Sequence, residues 1–286
     1  MNINQTDKHK DRNKKKKKSR NGNRNRNGNR KFPIFYIILI TVLMYIPIIL
    51  TVFYSFNASK ISSVWGGFSL TWYEVLWKDR EIKEALGNSL LLALSSCFLA
   101  VIIGTLGAVG MSKTTSKFND LISYLSTLPL MIPEIILGMV FLGIFSFMGL
   151  PFGMFTLIIA HTTFCIPYLF IMVSARLIGI DKSLEEAARD LGASQIRTFF
   201  DIILPQLVPA ILSGVLLSFA MSFDDVVISI FVTGPKVNLL PIKIYTKLKT
   251  GITPEINALA TIMLAVTILL VLLSNWIGKR NQSSMS

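Results

Sequence analysis

Long stretches without a charged side chain place the strongest constraint on the fold. Residues 32–59 and residues 88–112 contain no Asp, Glu, Lys or Arg. A helix needs about 20 apolar residues to cross a bilayer, so each stretch is long enough to span it. The runs are continuous and lack the alternating polar and apolar residues of a membrane β-barrel. Because 52% of all residues are hydrophobic, the sequence predicts an all-α polytopic membrane protein.

Six such segments follow one another along the chain. The predicted spans are residues 33–56, 88–111, 121–147, 154–175, 208–232 and 256–278. Lys and Arg favour cytoplasmic segments, and the segments on the side of the N-terminus hold 21 of them against 8 on the other side. The sequence therefore predicts that both termini are cytoplasmic. Without residues 1–31 the two counts are equal, so this orientation depends on the N-terminal tail.

The tail, residues 1–31, differs in composition from the rest of the chain. It carries thirteen Lys and Arg against two Asp, and it is rich in Asn and Gly. Such a segment has nothing from which to build a core, so we expect a disordered cytoplasmic tail that touches anionic lipid headgroups. It contains no aromatic residues to stack on bases, and nucleic acid is not expected as a partner. Residues 32–286 are assigned to one transmembrane domain.

No set of residues suited to catalysis is apparent. The sequence lacks a phosphate-binding GxxxxGK[ST] loop and a Cys or His cluster with the spacing of a metal site. His161 lies in a predicted span, where a hydrogen-bonded packing role is more common than a relay or ligand role. Cys97 and Cys165 also lie in predicted spans and are interpreted as small buried side chains. The chain is thus predicted to be no enzyme and to bind no cofactor or metal itself.

Three carboxylates lie within predicted spans, where charge is costly and usually faces a cavity or a partner. At 1.5 Å per residue, Glu134 and Asp224 lie roughly 20 Å and 22 Å from the inner ends of their spans, with Asp225 beside the latter. Because no span contains Lys or Arg, acids at one depth favour a cationic substrate. The alternative is structural. Glu134 follows Pro133 and would then cap a broken helix, while the aspartates would satisfy backbone or cross-subunit groups.

A polar, charged insertion at residues 181–209 separates two hydrophobic segments. Ser183 and Glu186 have the spacing of a capping box at the start of a helix. Gly192 stands where that helix would end, and Ser194 is placed to cap a second one. The insertion therefore predicts a hairpin of two short helices joined at a glycine.

Both predicted helices of this hairpin are amphipathic. The apolar positions with helical spacing are Leu184, Ala187, Ala188 and Leu191, then Ile196, Phe199, Phe200, Ile203 and Leu207. Pro205 is expected to interrupt or bend the second helix. Two short amphipathic helices between membrane spans have the shape of a docking element.

The fixed positions of the hairpin follow a known pattern. Glu186, Ala187 and Ala188 are followed after three residues by Gly192, and nine residues later by Ile202-x-Leu204-Pro205. This resembles the EAA loop of binding-protein-dependent ABC importer permeases, EAA-x3-G-x9-I-x-LP, with every fixed position present. The resemblance implies the six-helix fold of type I importer permeases, in which this loop is a cytoplasmic coupling helix that docks on an ATPase subunit.

The resemblance also implies roles within the loop. Ala187 and Ala188 would let the helix approach its groove closely, Gly192 would permit the turn, and Glu186 would pair with a basic residue of the ATPase. Leu204 and Pro205 complete the set of candidate ATPase-coupling residues.

Three further stretches narrow the resemblance. Residues 128–139 (LPLMIPEIILGM), 222–235 (SFDDVVISIFVTGP) and 240–261 are similar to the C-type membrane subunit of spermidine/putrescine transporters. This implies a bacterial cytoplasmic membrane, a homologous second permease, two ATPase subunits that use ATP and Mg, and an extracytoplasmic binding protein. Asp224, Asp225 and Glu134 would then lie along the path of a polycation.

Other functions remain open at this stage. A permease of the same class for another solute, such as ferric iron, thiamine or an anion, would carry the same loop. An ion-coupled secondary transporter would use the carboxylates as proton relays. A non-transporting membrane scaffold would leave the spacing of the loop unexplained.

Overall fold

The structure, a computed structural model, describes residues 31–61, 64–114, 118–251 and 254–283. The predicted disorder of the N-terminal tail lies outside the described residues. Within these ranges the secondary structure is helical, and the only strand-like pairing is an isolated bridge between Asn57 and Phe68. The predicted all-α fold is confirmed.

Twelve α-helices and one π-helical turn occur within the described residues. They are α1 (Lys31–Tyr54), α2 (Thr71–Lys78), α3 (Arg80–Lys113), α4 (Asn119–Met131), α5 (Glu134–Phe147), α6 (Met154–Ile178), α7 (Lys182–Asp190), α8 (Gln195–Thr198), the π turn (Phe199–Ile203), α9 (Leu204–Asp224), α10 (Val227–Val232), α11 (Leu240–Thr250) and α12 (Pro254–Ser283).

The chain divides after Tyr54 into two compact units. The first contains α1, an apolar helix whose side chains are not buried by this unit. The second contains the other helices and is organised around α6, which packs against α3, α4, α9 and α10. Most of the side chains of α6 that face these helices are fully buried, among them Leu157, His161 and Leu169.

Four helical stretches of the described chain are long and apolar enough to cross a membrane. They are Pro33–Tyr54, Arg80–Lys113, Met154–Ile178 and Gln195–Asp224. The pair α4 and α5 adds a fifth if the two helices, which are bent by 108°, form one span. The apolar part of α12, Pro254–Leu269, is shorter, so the sixth span stays a prediction.

Two of the predicted spans are not continuous helices. The third, residues 121–147, is broken at Ile132 and Pro133 between α4 and α5. The fifth, residues 208–232, is interrupted as well. Its helix ends at Asp224, and a new helix begins at Val227. The first break follows from a proline that ends a helix, whereas the second has another cause, described below.

Three helices of the second unit meet at one leucine of α6. A Cβ atom built on Gly104 of α3 would lie 2.8 Å from Leu169 Cβ, and one built on Gly214 of α9 would lie 2.8 Å from Leu169 Cδ1. Leu169 is completely buried. The two glycines therefore allow α3 and α9 to approach α6 from two sides more closely than any other residue would.

We expect Gly104→Ala to destabilise the protein by about 1–3 kcal/mol, because the new methyl group would overpack a site bounded by Leu169 and by the Ile166 carbonyl. Gly110→Ala on the same helix is the matched control, because a Cβ there meets nothing within 4 Å. That variant should be unchanged or up to about 1 kcal/mol more stable. Thermal unfolding in detergent measures both, and an equal response of the two variants would contradict this packing.

Candidate functional site

A cavity of about 460 Å³ lies where the two helix breaks meet. Its lining residues come from α4, α5, α6, α9 and the start of α10. They are Pro129, Leu130, Ile132, Glu134, Leu137, Phe164, Tyr168, Ala220, Met221, Asp224, Asp225, Val226, Val227 and Ile228. The structure thus brings Glu134, which the sequence placed in the third span, together with Asp224 and Asp225 of the fifth. No Lys, Arg or His belongs to this lining.

Glu134 reaches the cavity because the third span is broken. Pro133 stands in an extended conformation before α5, and Glu134 is the first residue of that helix. A carboxylate in the first turn of a helix is favoured by the positive end of the helix dipole. This agrees with the capping role that the sequence offered for Glu134. Its side chain is nevertheless exposed in this chain. Glu134 is therefore positioned by the helix terminus without being enclosed there.

Asp225 is part of the second break and explains it. Its two carboxylate oxygens accept hydrogen bonds from the backbone N–H groups of Ile228, at 3.2 Å, and Ser229, at 2.8 Å. In a continuous helix these two N–H groups would bond to the carbonyl oxygens of Asp224 and Asp225. The side chain of Asp225 thus replaces the main chain as acceptor and starts α10 as a separate helix.

A buried hydrogen-bonded cluster surrounds Asp225. His161 of α6 is completely buried. Its Nδ1 lies 2.8 Å from Ser222 Oγ, its Nε2 lies 3.1 Å from Ser229 Oγ, and the same Nε2 lies 3.5 Å from Asp225 Oδ2. The hydrogen-bonded packing role predicted for His161 agrees with this geometry. Asp225 therefore has the backbone-satisfying role that the sequence left open as the alternative to substrate contact.

Asp224 has a different environment from its neighbour. Its side chain is exposed, and no hydrogen bond or ion pair reaches it within the described residues. It lines the 460 Å³ cavity and also a second cavity of about 430 Å³ between α9, α11 and α12. Asp224 and Glu134 are thus the two carboxylates free to meet a ligand.

Some residues of the site were not found from the sequence. Ser222 and Ser229 are fully buried partners of His161, and Phe164 is an aromatic residue of the cavity wall. The serines have a signal in the sequence, because they stand three residues before and four after Asp225. Small hydroxyl residues are common in spans, however, and their spacing alone does not identify a partner on another helix.

The hairpin at residues 181–209 forms two helices joined at a glycine, as predicted, but its first cap differs. The side chain of Asp181 accepts a hydrogen bond from the N–H of Ser183 at 2.9 Å, so α7 begins at Lys182. This bond holds the pKa of the Asp181 carboxyl below its usual range. The predicted capping box of Ser183 and Glu186 was wrong, because Ser183 already lies inside the helix.

The turn after α7 depends on Gly192. Gly192 has φ +82°, a left-handed conformation that other residues adopt only at a cost. Its N–H donates to Arg189 O at 2.8 Å, and the N–H of Ala193 donates to Ala188 O at 3.0 Å. Together these two bonds form a Schellman motif. As predicted, Ser194 caps the second helix through a bond from the N–H of Arg197.

The second helix of the hairpin continues into the membrane span through a π turn. The N–H of Leu204 bonds to Phe199 O, five residues back. Pro205 comes next and has no N–H to donate, so the regular hydrogen-bond pattern is interrupted there. Gln206 Nε2 donates to Ile202 O at 3.1 Å across the irregular turn. The interruption predicted at Pro205 is thus a local widening of the helix, and the chain then continues as α9.

Ion pairs attach α7 to the end of α3. Glu185 Oε1 accepts hydrogen bonds from Lys113 Nζ at 2.8 Å and from Arg189 Nη2 at 2.7 Å. The bond from Lys113 is the main reason that the pKa of the Glu185 carboxyl lies below its usual value, and the charges of Lys113 and Arg189 add to it. The hairpin is therefore joined electrostatically to a helix of the core.

This attachment should depend on pH with a defined sign. Because the folded-state pKa of Glu185 is lowered, its stabilising effect is complete above the usual glutamate pKa and is lost as the pH falls through the lowered value. We expect hydrogen exchange of the α7 amides, corrected for intrinsic rates, to be faster at about pH 3.5 than at pH 7. Glu185→Gln should show the faster exchange at both pH values. A wild-type response in that variant would contradict the attachment.

The hairpin leaves an apolar face uncovered within the described chain. Its members are each at least 45% exposed, and they are Leu184, Leu191, Ile196 and Phe200. Glu186 and Ala187 are exposed as well, but Ala188 is only 7% exposed. The docking role of Ala188 stays a prediction, and its small, largely buried side chain differs in exposure from its neighbour Ala187.

Among the described residues, no group of three or more His, Cys, Asp or Glu side chains is arranged to hold a metal ion. Cys97 and Cys165 are free thiols in the buried core. Their helices are fixed to α9 by weak bonds from Cys97 Sγ to Val215 O and from Cys165 Sγ to Ser218 O.

Comparisons with known proteins give a consistent family. The sequence profile described as "Binding-protein-dependent transport system inner membrane component" matches residues 100–286. The chain is 41% identical to the spermidine/putrescine transport system permease protein PotC of Haemophilus influenzae, over 83% of this chain and 93% of that protein. It is also 41% identical to the putrescine transport system permease protein PotI of Escherichia coli, over 77% of this chain and 81% of that protein.

Solved structures show the same fold at lower identity. A chain of a bacterial ABC transporter involved in the import of alginate aligns with a TM-score of 0.69 at 17% identity, covering 88% of this chain and 96% of that one. A chain of the MetNI methionine ABC transporter in an inward-facing conformation aligns with a TM-score of 0.62 at 18% identity, covering 73% and 98%. The chain therefore belongs to the family of inner membrane components of binding-protein-dependent transport systems.

Proposed function

We propose that this chain is a permease subunit of an ATP-driven ABC importer and forms part of the path for polyamine uptake. The observation that carries the proposal is the cavity between the two helix breaks. Asp224 and Glu134 line it with exposed carboxylates, and no cationic side chain of this chain lines it with them. Charged groups at membrane depth usually face a pathway or a partner, and acids without basic neighbours favour a cation.

The chemistry of a polyamine suits this lining. Its ammonium groups would meet the two free carboxylates, and its methylene chain would lie against apolar and aromatic residues such as Phe164 and Tyr168. Aromatic faces also attract ammonium groups. Two relatives whose names specify spermidine or putrescine share 41% of their aligned residues with this chain. Both considerations support a linear polycation as the substrate.

The hairpin at residues 181–209 is proposed to couple this path to ATP hydrolysis. Its exposed apolar face, with Glu186 and Ala187 beside it, would dock on a cytoplasmic ATPase subunit. Gly192 fixes the angle between the two short helices. Leu204 and Pro205 stand where the hairpin passes into the membrane span. The chain itself would hydrolyse nothing and bind no cofactor, and ATP with Mg would be used by the partner.

The complete transporter would contain several further subunits. A homologous second permease would complete the path, two ATPase subunits would bind the hairpins, and an extracytoplasmic binding protein would deliver substrate. Both termini of this chain would be cytoplasmic, with the basic tail at the inner surface of a bacterial cytoplasmic membrane and in contact with its lipids. A hairpin that docks on a cytoplasmic ATPase subunit would require the same orientation, without reference to the charge of the tail.

Reconstitution of the purified complex in vesicles tests the proposal. We expect uptake of labelled putrescine or spermidine that requires ATP on the hairpin side and the binding protein on the other side. Unlabelled polyamines should compete, and ferric iron and thiamine should not. Uptake driven by an ion gradient without ATP would instead identify a secondary transporter. Competition by iron or thiamine alone would assign another solute.

A further inference from the structure

One buried side chain contacts both sides of the break in the fifth span. His161 of α6 bonds through Nδ1 to Ser222 of α9 and through Nε2 to Ser229 of α10. The side chains of all three residues are at least 98% buried. Because α9 and α10 are separate helices, their relative placement is not set by a continuous hydrogen-bonded backbone. A single imidazole therefore links two helices that the chain leaves unconnected at this point.

Two further hydrogen bonds, one before and one after His161 along α6, join α6 to α10 and to α9. Thr156 Oγ1 donates to Val232 O at the end of α10, at 3.0 Å. Ser218 Oγ of α9 donates to Cys165 O at 3.3 Å. His161 lies between these two positions, where the break is. Successive turns of α6 therefore contact α10 at Thr156, the break at His161 and α9 at Cys165.

The position of Asp225 determines which nitrogen of His161 carries the proton. Nε2 lies 3.5 Å from a carboxylate oxygen of Asp225. A lone pair on Nε2 would face that negative charge, so the tautomer with a proton on Nε2 is favoured. Nε2–H then donates toward Ser229 and Asp225, and Nδ1 accepts from the hydroxyl of Ser222. In this arrangement each ring nitrogen is satisfied by a different half of the span.

The break itself depends on Asp225 staying in place. If its carboxylate moved away, the N–H groups of Ile228 and Ser229 would be free to bond to main-chain carbonyl oxygens, and α9 could continue into α10. Val226, Val227 and Ile228 line the cavity beside Asp224, at the point where the chain leaves the helix. Loss of the break would therefore rebuild the cavity wall next to Asp224.

We propose that His161 is a positioning residue of the transport path: it clamps Ser222, Asp225 and Ser229 and thereby holds the helix break that presents Asp224 to the cavity. This inference rests on the proposed function, because Asp224 is the carboxylate assigned there to the substrate. It assigns His161 no contact with substrate. Its effect reaches the path through the cavity wall alone.

Three replacements of His161 separate its contact with Ser222 from its contact with Ser229. His161→Gln places an amide near the position of Nε2 and retains a contact with Ser229. His161→Asn places it near Nδ1 and retains Ser222 only. His161→Leu removes both contacts at similar volume. Thr162→Val is the matched control, because Thr162 is also buried on the same helix and its hydroxyl has no hydrogen-bond partner within the described residues.

The first measurement is uptake of labelled putrescine by the whole reconstituted complex. We expect the Leu and Asn variants to raise the KM at least tenfold, with the maximal rate per assembled complex within threefold of wild type. The KM of the Gln variant should lie within threefold of the wild-type KM, and Thr162→Val should match wild type. A merely structural defect would lower the amount of complex and the maximal rate but leave the KM unchanged.

The second measurement needs no transport. Asp224→Cys is introduced with Cys97 and Cys165 replaced by serine, and the rate of modification by 2-aminoethyl methanethiosulfonate is followed in the complex. We expect His161→Leu to slow this reaction at least fivefold and Thr162→Val to leave it unchanged. If the wild-type complex took up no polyamine, the proposed function would fail, while this labelling result would still decide the role of His161.

Defined outcomes would overturn the inference. An unchanged KM and labelling rate in His161→Leu would do so, as would a Gln variant as impaired as the Leu variant. If His161→Leu does not assemble, Ser229→Ala decides instead, because it removes the hydroxyl whose contact the Gln variant retains. A KM raised at least threefold in Ser229→Ala supports the clamp, and a wild-type KM excludes it.

Discussion

Asp224→Asn is expected to reduce polyamine uptake by about 10- to 100-fold, and Asp225→Asn by less than about tenfold. A hydrogen bond to a charged group is worth about 1.5–3 kcal/mol, and each 1.4 kcal/mol is a factor of ten. Asp224 faces the cavity without a partner in the described chain, so its charge is available to a substrate ammonium. Asparagine is nearly as good a helix cap as aspartate and keeps one of the two acceptor oxygens, so Asp225→Asn should keep most of the stability of the break.

A third variant, Asp225→Ala, tests the capping role of Asp225. It removes both acceptors for the N–H groups of Ile228 and Ser229, so it should impair uptake more than Asp225→Asn does. The measurement is ATP-dependent uptake at saturating and limiting putrescine, normalised to assembled complex. The reverse order, with Asp225→Asn more damaging than Asp224→Asn, would make Asp225 the substrate contact and Asp224 the dispensable acid.

Gly192→Pro is expected to abolish uptake while leaving the complex in the membrane. Proline cannot adopt φ +82°, and it has no N–H to donate to Arg189 O, so the turn between α7 and α8 cannot form. A hairpin of altered angle would no longer transmit the state of the ATPase to the membrane helices. ATP hydrolysis by the variant complex should therefore continue without responding to the substrate-loaded binding protein.

Two glycine variants control for strain at this turn. Gly192→Ala keeps the N–H but must hold a left-handed conformation, which costs roughly 1–2 kcal/mol, so partial uptake is expected. Gly179→Ala at the end of α6 should behave like wild type. Gly179 has φ −89°, and a Cβ there makes no contact closer than 3.5 Å. Normal uptake by Gly192→Pro would show that the hairpin does not couple the two reactions.

The helical fold and the convergence of the three acids could be predicted from the sequence because they depend on length and composition. Counting residues from the ends of the spans placed Glu134 and Asp224 at similar depth, and the structure puts both on one cavity. The break before Glu134 was visible as Pro133. Each of these features follows from a local signal that hydropathy or a proline makes plain.

The second break could not be predicted, because its cause is a side chain in competition with the backbone. Residues 225–227 are Asp-Val-Val, with neither proline nor glycine, and they lie within a hydrophobic run. Asp225 captures two N–H groups at a position where His161 of α6 and Ser229 of α10 also contact one another. In the sequence His161 stands far from Asp225 and Ser229, and nothing indicates this contact.

The wrong prediction of the first helix cap of the hairpin has a similar origin. Asp181 and Ser183 are both good helix caps, and their order along the chain does not decide between them. Ala188 lies on the apolar stripe of α7 yet is only 7% exposed, whereas Leu184 and Leu191 of the same stripe stay exposed. Which apolar residues of a short helix remain free depends on how the rest of the chain packs, and periodicity contains no such information.

The packing of Leu169 between Gly104 and Gly214 has a mechanical consequence. If α9 slid by one turn, about 5.4 Å, a residue with a side chain would replace Gly214 at a place where even a methyl group does not fit. We therefore expect α3, α6 and α9 to move as one body when the protein changes conformation. The freedom needed to open a path to one side and then the other must come from the broken helices and the hairpin attached to that body.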